Sequence, residues 1–400
     1  MERVELDIMK GMKKVRDFVS MILSPLKVVY GWMVFHYYWK FPLEKKVVFS
    51  CFSGKRYGDN PKYISMELHE EHPEVKQIWI YDKNKLEGLP KYVRQVRRHS
   101  REMMRELATA KVWVDSHYQP CWVFKRKRDQ FFLETWHGGL GFKKIGFETK
   151  EKISIVELAR LKHTAKVVDL WLSNSDWLSN AFRKGNKYEG EILKSGLPKM
   201  AFLMNNEKDS RKKVRDFYKL DEKTKLVVYA PTMRKKMKET DFDINVEGVI
   251  DALEKKMGGE FKMAMRLHPV NEIECKEVKF DEDVLDGNAY GDMQELIAAA
   301  DVFISDYSSA MFDSAVLRHP TFCFAFDEAE YEKERGFCVR LKDLPFPIAR
   351  NNGELIKVIE NFDKKTYEKN LEKYFEKVGL NEPKDSTEKV VRIIMEKLDA

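Results

Sequence analysis

From Lys46 onward, short apolar runs alternate with longer segments in which apolar residues recur at helical spacing. Runs such as Val47 to Phe52, Ile78 to Tyr81, Val112 to Asp115, Phe131 to Thr135 and Leu170 to Ser173 predict strands. Helices are predicted between them near Pro61 to His72 and Arg98 to Ala108. Alternating strands and helices of this kind form a doubly wound parallel sheet. A second series follows, with strands at Leu226 to Thr232, Phe261 to Pro269, Val302 to Ser305 and Thr321 to Phe326. Its helices lie at Val246 to Lys256, Met293 to Ala300 and Ser309 to Leu317. The polar stretch Asn205 to Lys223 separates the two series and places a linker there. The pattern therefore predicts an α/β chain with residues 46–205 and 206–400 as two Rossmann-like halves facing each other. Helices near Gly353 to Phe362, Lys365 to Val378 and from Ser386 are expected to pack on the second half.

The first 45 residues break this pattern. Lys10, Lys13, Lys14 and Arg16 precede an apolar and aromatic run from Met21 to Phe41. Pro25, Lys27 and His36 interrupt that run, so it does not read as a spanning helix. Trp32, Tyr37, Tyr38 and Trp39 have rings suited to headgroup depth, and the lysines suit an anionic inner leaflet. The segment is expected to be amphipathic and interfacial; the alternative is a helix packed on the protein's own core.

Composition narrows the partners. The net charge of +7 is modest, but basic residues cluster at Lys125 to Arg128 and at Arg234, Lys235, Lys236 and Lys238, which suits an anionic ligand as well as a solvated surface. They mark no recognition helix, so no nucleic-acid partner is expected. The five cysteines, at positions 51, 121, 275, 323 and 338, have no paired or metal-type spacing, and no cleavable signal pattern precedes them; a reduced intracellular protein is expected.

The distinctive polar residues sit at strand exits, where ligands of open α/β sheets bind. In Ala300 to Asp313, a short strand leads to Ser308 and Ser309 at the start of a helix, where free amides and the helix dipole suit a phosphate, or where a serine simply caps its own helix. His137 ends the Phe131 strand and is followed by Gly138 and Gly139, which let backbone approach a ligand; it is a candidate general base. Arg266 and His268 share one strand face, so a cation and an imidazole can meet a phosphate together, and Thr232 and Arg234 leave another strand beside them. Asp241 and Asp243 have the spacing of a metal-binding pair but lie in a charged stretch away from any strand end, so no metal site is assigned.

Together, Trp136-His137-Gly138, Ala230-Pro231-Thr232-Met233-Arg234, Arg266-Leu267-His268-Pro269 and Ser305-Asp306-Tyr307-Ser308-Ser309-Ala310-Met311-Phe312-Asp313 stand in one order along the chain. In these segments the chain resembles the CDP-glycerol glycerophosphotransferase family of teichoic acid synthesis, over roughly Lys46 to Asp327. The stretch Phe52 to Pro61 is similar to the family's first strand exit.

The resemblance implies a GT-B architecture, two Rossmann-like domains facing across a cleft, on an enzyme attached peripherally to the cytoplasmic side of the cell membrane. The implied reaction moves glycerol phosphate from CDP-glycerol, or another CDP-polyol, to a hydroxyl of a lipid-linked saccharide acceptor, without a cofactor, and releases CMP. It also implies catalytic roles for His137 and His268, and substrate contacts for Trp136, Gly138, Gly139, Thr232, Arg234, Arg266, Asp306, Ser308, Ser309 and Asp313, the two aspartates holding ribose, glycerol or neighbouring backbone. Two departures bear on the acceptor and the polyol. Gly139-Leu140-Gly141-Phe142-Lys143 replaces the family's Thr-Pro-Leu-Lys, and Gly196-Leu197-Pro198-Lys199-Met200-Ala201 stands for its Gly-x-Pro-Arg-Asn-Asp and loses the Asn and Asp. The other readings are a CDP-ribitol enzyme, a GT-B nucleotide-sugar glycosyltransferase, and a non-catalytic membrane scaffold.

Overall fold

Each central strand reads as an apolar run because both faces of its sheet are covered. The computed structural model describes residues 29–117, 129–149, 151, 153–232, 234, 244–267 and 280–400. His268, Pro269, Met233, Cys121, Cys275, the runs Lys125 to Arg128 and Lys235 to Asp243, and the amino-terminal lysines lie outside these residues.

The first sheet contains β1 (Glu44–Ser50), β2 (Lys76–Tyr81), β3 (Val93–Arg97), β4 (Ala110–Asp115), β5 (Phe131–Glu134), β6 (Leu170–Ser173) and β7 (Glu191–Lys194). Their order is β3-β2-β1-β4-β5-β6-β7, parallel throughout. The second sheet contains β8 (Lys225–Tyr229), β9 (Phe261–Met265), β10 (Val284–Asp286), β11 (Val302–Ser305), β12 (Thr321–Phe324) and β13 (Ile348–Ala349). Its order is β10-β9-β8-β11-β12-β13, again parallel. Winding reverses between β1 and β4 in one sheet and between β8 and β11 in the other, which opens a crevice beyond each pair of strand ends. The expected α/β class with parallel sheets is what the chain adopts.

Residues 29–38 form α1, followed by α2 (Asp59–Glu71), α3 (Arg101–Thr109), α4 (Ile155–Val167), α5 (Asp176–Gly185), α6 (Pro198–Tyr218) and α7 (Val246–Met257). Then come α8 (Met293–Ala299), α9 (Ala310–Val316), α10 (Glu328–Arg335), α11 (Asn352–Glu360), α12 (Lys364–Val378) and α13 (Ser386–Asp399). Among the described residues, no helix is long and apolar enough to cross a membrane.

Alternate strand residues supply the two faces of the first sheet. Val47, Phe49, Val112 and Val114 pack with Ile64 and Leu68 of α2, whereas Val48, Trp113, Phe132 and Trp171 pack with Phe35 of α1 and residues of α3 and α5. Three features differ from the sequence-based expectation. The polar stretch expected to be a linker is largely helical: α6 runs through it, burying Leu203, Ser210 and Val214 on one side and kinking at Asn206. The Phe261 strand ends at Met265, four residues before the expected Pro269. The last helix leaves the second half: Val390, Val391, Ile394 and Leu398 of α13 join Val47, Phe49 and Leu172 in a core cluster of the first sheet. Its apolar stripe packs on the sheet face beside α2.

Candidate active site

Two strand-end segments meet where the crevices open. A Cβ on Gly138 would lie 3.3 Å from the Ser309 hydroxyl oxygen, so the segment after β5 and the turn after β11 are in direct contact. Gly139 is as closely seated: a Cβ there would come within 2.6 Å of the Asn174 amide nitrogen. Both glycines are needed for close approach rather than for an unusual backbone angle. Just before them, Trp136 has a φ of 55°, a left-handed conformation that is costly for a bulky residue and turns the chain out of β5. The strain is held by packing, since the Trp136 indole is buried against Trp171 and Phe182.

His137 emerges from this turn, partly buried, with its ring 4.4 Å from Trp136, 5.1 Å from Phe52 and 5.3 Å from His117. Its Nδ1 lies 3.1 Å from the Ser116 carbonyl oxygen. A carbonyl only accepts, so Nδ1 carries the proton and Nε2 keeps its lone pair. Burial depresses the His137 pKa to about 4; the Ser116 contact opposes this, and the positive charges of Lys199 and Lys143 reinforce it. The imidazole is therefore neutral at physiological pH, the form that accepts a proton. His117 is likewise pushed down to about 3, by burial and then by His137 and Arg160.

The backbone of this segment is clamped from both sides. Asn60 Nδ2 donates to the Thr135 and Trp136 carbonyls at 3.2 and 3.0 Å, while its Oδ1 accepts from Lys199 N at 3.1 Å. Lys199, in the first turn of α6, donates through Nζ to the His137 carbonyl at 3.1 Å and to Asp313 Oδ2 at 2.8 Å. Gln294 Nε2 also donates to Asp313, at 3.0 Å. Burial alone would lower the lysine pKa, but Asp313 and Asp59 hold it above its usual value, so the lysine is charged. Nearby, Glu382 accepts from Asn174 Nδ2 and Leu197 N, and burial raises its pKa to about 8.

The sequence-predicted residues divide into two groups. Trp136, His137, Gly138, Gly139, Ser309 and Asp313 converge at this junction, joined through Lys199. Ser308 Oγ accepts from Ala310 N at 3.2 Å, which leaves its own proton to donate elsewhere.

Thr232, Arg234 and Asp306 instead form a closed network. The Asp306 carboxylate, 0% exposed, accepts from Thr232 N at 2.9 Å, from Tyr307 N at 2.6 Å and from Arg234 at 2.8 Å. Arg234 also pairs with Asp327 at 2.6 Å and lies 4.7 Å from the centre of the Tyr331 ring. A guanidinium this deeply buried requires its carboxylates, so Arg234, Thr232 and Asp306 form a clasp that ties the exits of β8 and β11 together. Asp306 thus holds neighbouring backbone, one of the partners expected for it. Arg266 donates to the Gly287 and Tyr290 carbonyls at 2.9 and 2.6 Å. His268 lies outside the described residues. Among the described residues, no group of histidine, cysteine and carboxylate side chains could hold a metal ion.

Comparison with known proteins fits this picture. A family model described as CDP-glycerol:poly(glycerophosphate) glycerophosphotransferase matches residues 33–396. The teichoic acid poly(glycerol phosphate) polymerase of Staphylococcus epidermidis is 28% identical over 366 residues, which cover 83% of this chain and 48% of the relative. The chain thus spans about half the length of that polymerase. The teichoic acid glycerol-phosphate transferase of Staphylococcus aureus is 29% identical over 343 residues, covering 81% of this chain and 85% of the relative. A solved structure of the wall teichoic acid polymerase TagF superposes with a TM-score of 0.80 at 25% identity, over 97% of this chain and 98% of that one.

Proposed function

Because the chain belongs to the CDP-glycerol:poly(glycerophosphate) glycerophosphotransferase family, we propose that it transfers glycerol phosphate from CDP-glycerol to a hydroxyl of a lipid-linked saccharide acceptor in teichoic acid synthesis. The observation that carries this reading is the junction of Gly138 with Ser309, which sets a neutral, partly buried His137 beside the turn that opens α9. His137 Nε2 takes the proton of the acceptor hydroxyl as its oxygen attacks the glycerol-bearing phosphorus. The bond from that phosphorus to the bridging oxygen breaks, and CMP leaves with the electron pair. Ser308, Ser309 and the first amides of α9 hold the pyrophosphate, and the clasp of Arg234, Asp306 and Asp327 keeps that turn in place. Arg266, at the exit of β9, and His268 are the other expected donor contacts.

The arrangement is read as GT-B: an acceptor domain of residues 46–205 completed by α13, and a donor domain formed by the rest of residues 206–400, facing across the cleft. The test is release of CMP or UDP by the purified protein given CDP-glycerol, CDP-ribitol or UDP-sugars together with a lipid-linked saccharide. CMP release from CDP-glycerol is the expected result. Release from CDP-ribitol alone, or only of UDP, overturns the reading.

The enzyme is also placed peripherally on the cytoplasmic face of the cell membrane. In support, α1 anchors by the buried Phe35 while Val29, Tyr30, Trp32 and Met33 remain exposed, and Ile155 at the start of α4 is 86% exposed. Exposed aromatic and aliphatic side chains of this kind enter the headgroup region. Wild-type protein should sediment with anionic vesicles, and the pair Trp32→Glu and Met33→Glu should weaken binding at least about tenfold, by loss of two apolar anchors and repulsion of two added carboxylates from the anionic surface. Equal binding of the two proteins would rule out α1 as the anchor.

A further inference from the structure

His137 is one end of a short relay that starts at a buried carboxylate the proposed reaction does not use. Asp115 ends β4, opposite Glu134 of β5, and is 1% exposed. Its backbone carbonyl accepts from Thr135 N at 2.8 Å and from Thr135 Oγ1 at 3.1 Å, two residues before His137. Its side chain turns the chain back on itself: Oδ1 accepts from Ser116 N at 2.7 Å and from His117 N at 3.0 Å. An aspartate that takes the next two amides closes an Asx turn, which fixes the direction of the intervening peptide. The carbonyl at that turn is the one of Ser116 that meets His137 Nδ1. The other oxygen, Oδ2, is buried and accepts no hydrogen bond among the described residues. Leaving a buried acceptor unmet is destabilising, so a neutral or apolar residue would suit stability better here. Burial raises the Asp115 pKa to about 7, against the two amide contacts and the charges of Arg160 and Arg98.

We infer that Asp115 is a positioning residue for His137: it holds the 115–117 turn by its two amide contacts, aims the Ser116 carbonyl at Nδ1, and thereby keeps Nε2 free as the proton acceptor. The inference rests on His137 being the base of the proposed transfer. A rigid partner on one ring nitrogen sets which nitrogen is protonated, and an imidazole in the wrong tautomer presents an N–H where the reaction needs a lone pair.

The experiment reads the tautomer directly, without substrate. In protein labelled with ¹⁵N-histidine, the His137 signals are identified by their loss in His137→Gln. Wild type should show the Nδ1–H form at neutral pH. Asp115→Ala should shift His137 toward the Nε2–H form and lower kcat about 10- to 100-fold, by analogy with the loss seen when a partner that orients a metal-ligating histidine is removed, with KM for CDP-glycerol unchanged within about twofold. Asp115→Asn retains an oxygen in the place of Oδ1 and should recover the wild-type tautomer and most of kcat. If Asp115→Ala melts below the assay temperature, Asp115→Ser, whose hydroxyl can take only one amide, should give an intermediate tautomer ratio.

Three results overturn the inference: a wild-type Nε2–H signal, an unchanged tautomer in Asp115→Ala or Asp115→Ser, or an Asp115→Asn protein as impaired as Asp115→Ala. Failure of the functional reading looks different, because an enzyme inactive on CDP-glycerol would still report its tautomer.

Discussion

Replacing His137 by alanine is expected to slow transfer from CDP-glycerol about 10²- to 10⁴-fold, the usual contribution of a well-placed proton acceptor. Donor binding should survive, because the ring contacts Phe52, His117 and Trp136 on the first half, whereas the proposed pyrophosphate turn belongs to the second. Equilibrium dialysis with CDP-glycerol beside single-turnover CMP release separates the two effects. An alanine protein that keeps activity within about tenfold removes His137 from the chemistry.

The pH profile gives a second signature. The imidazole accepts a proton only when neutral, and its folded pKa of about 4 lies below the ordinary value. The acidic limb of kcat/KM should therefore fall near pH 4 instead of pH 6.5. Linkage runs in the same direction. Between those values an unfolded chain protonates this histidine and the folded one does not, so its contribution to stability is present at neutral pH and is lost as pH falls toward 4.

Substituting Lys199 by methionine is expected to lower stability by about 3–5 kcal/mol, the range for removing one partner of a buried ion pair. Lys199 and Asp313 are 3% and 5% exposed with their charged atoms 2.8 Å apart, so methionine leaves a carboxylate with little water and no cation. It also releases the His137 carbonyl, so activity should fall further than stability alone explains. Thermal melts of Lys199→Met, Asp313→Leu and the double variant check the interpretation. The double variant should recover part of the loss, because Asp313 is then no longer stranded, while buried Asp59 still loses its cation. Strictly additive losses would show that the two side chains act separately.

The central strands were legible because a strand covered on both faces has to be apolar along its length. The strands the sequence hid are β3, β7, β10 and β13, the four sheet edges. Edge strands are short and polar to discourage pairing with other chains, so Val93–Arg97 and Glu191–Lys194 show no apolar run. The same limit applies within the site. His137 and its glycines stood out because a histidine and two small residues at a strand end have few packing explanations. Lys199 did not, since its partner lies 114 positions away and a lysine after a proline resembles any exposed helix start. Arg234 shows the converse: followed by lysines, it reads as an anion site, while the carboxylates it pairs with, Asp306 and Asp327, come 72 and 93 residues later. Asp115 and His117 were within reach, because Asp115-Ser116-His117 follows an apolar strand just as Trp136-His137 does.

The return of α13 to the first sheet bears on the order in which the protein can be made. The face formed by Val47, Phe49, Val112 and Val114 is completed by Val390, Val391, Ile394 and Leu398. A ribosome reaches those residues only after it has delivered all of the second sheet. During synthesis the earlier half must therefore wait with the part of that face beside α2 uncovered, and it closes last although it emerges first.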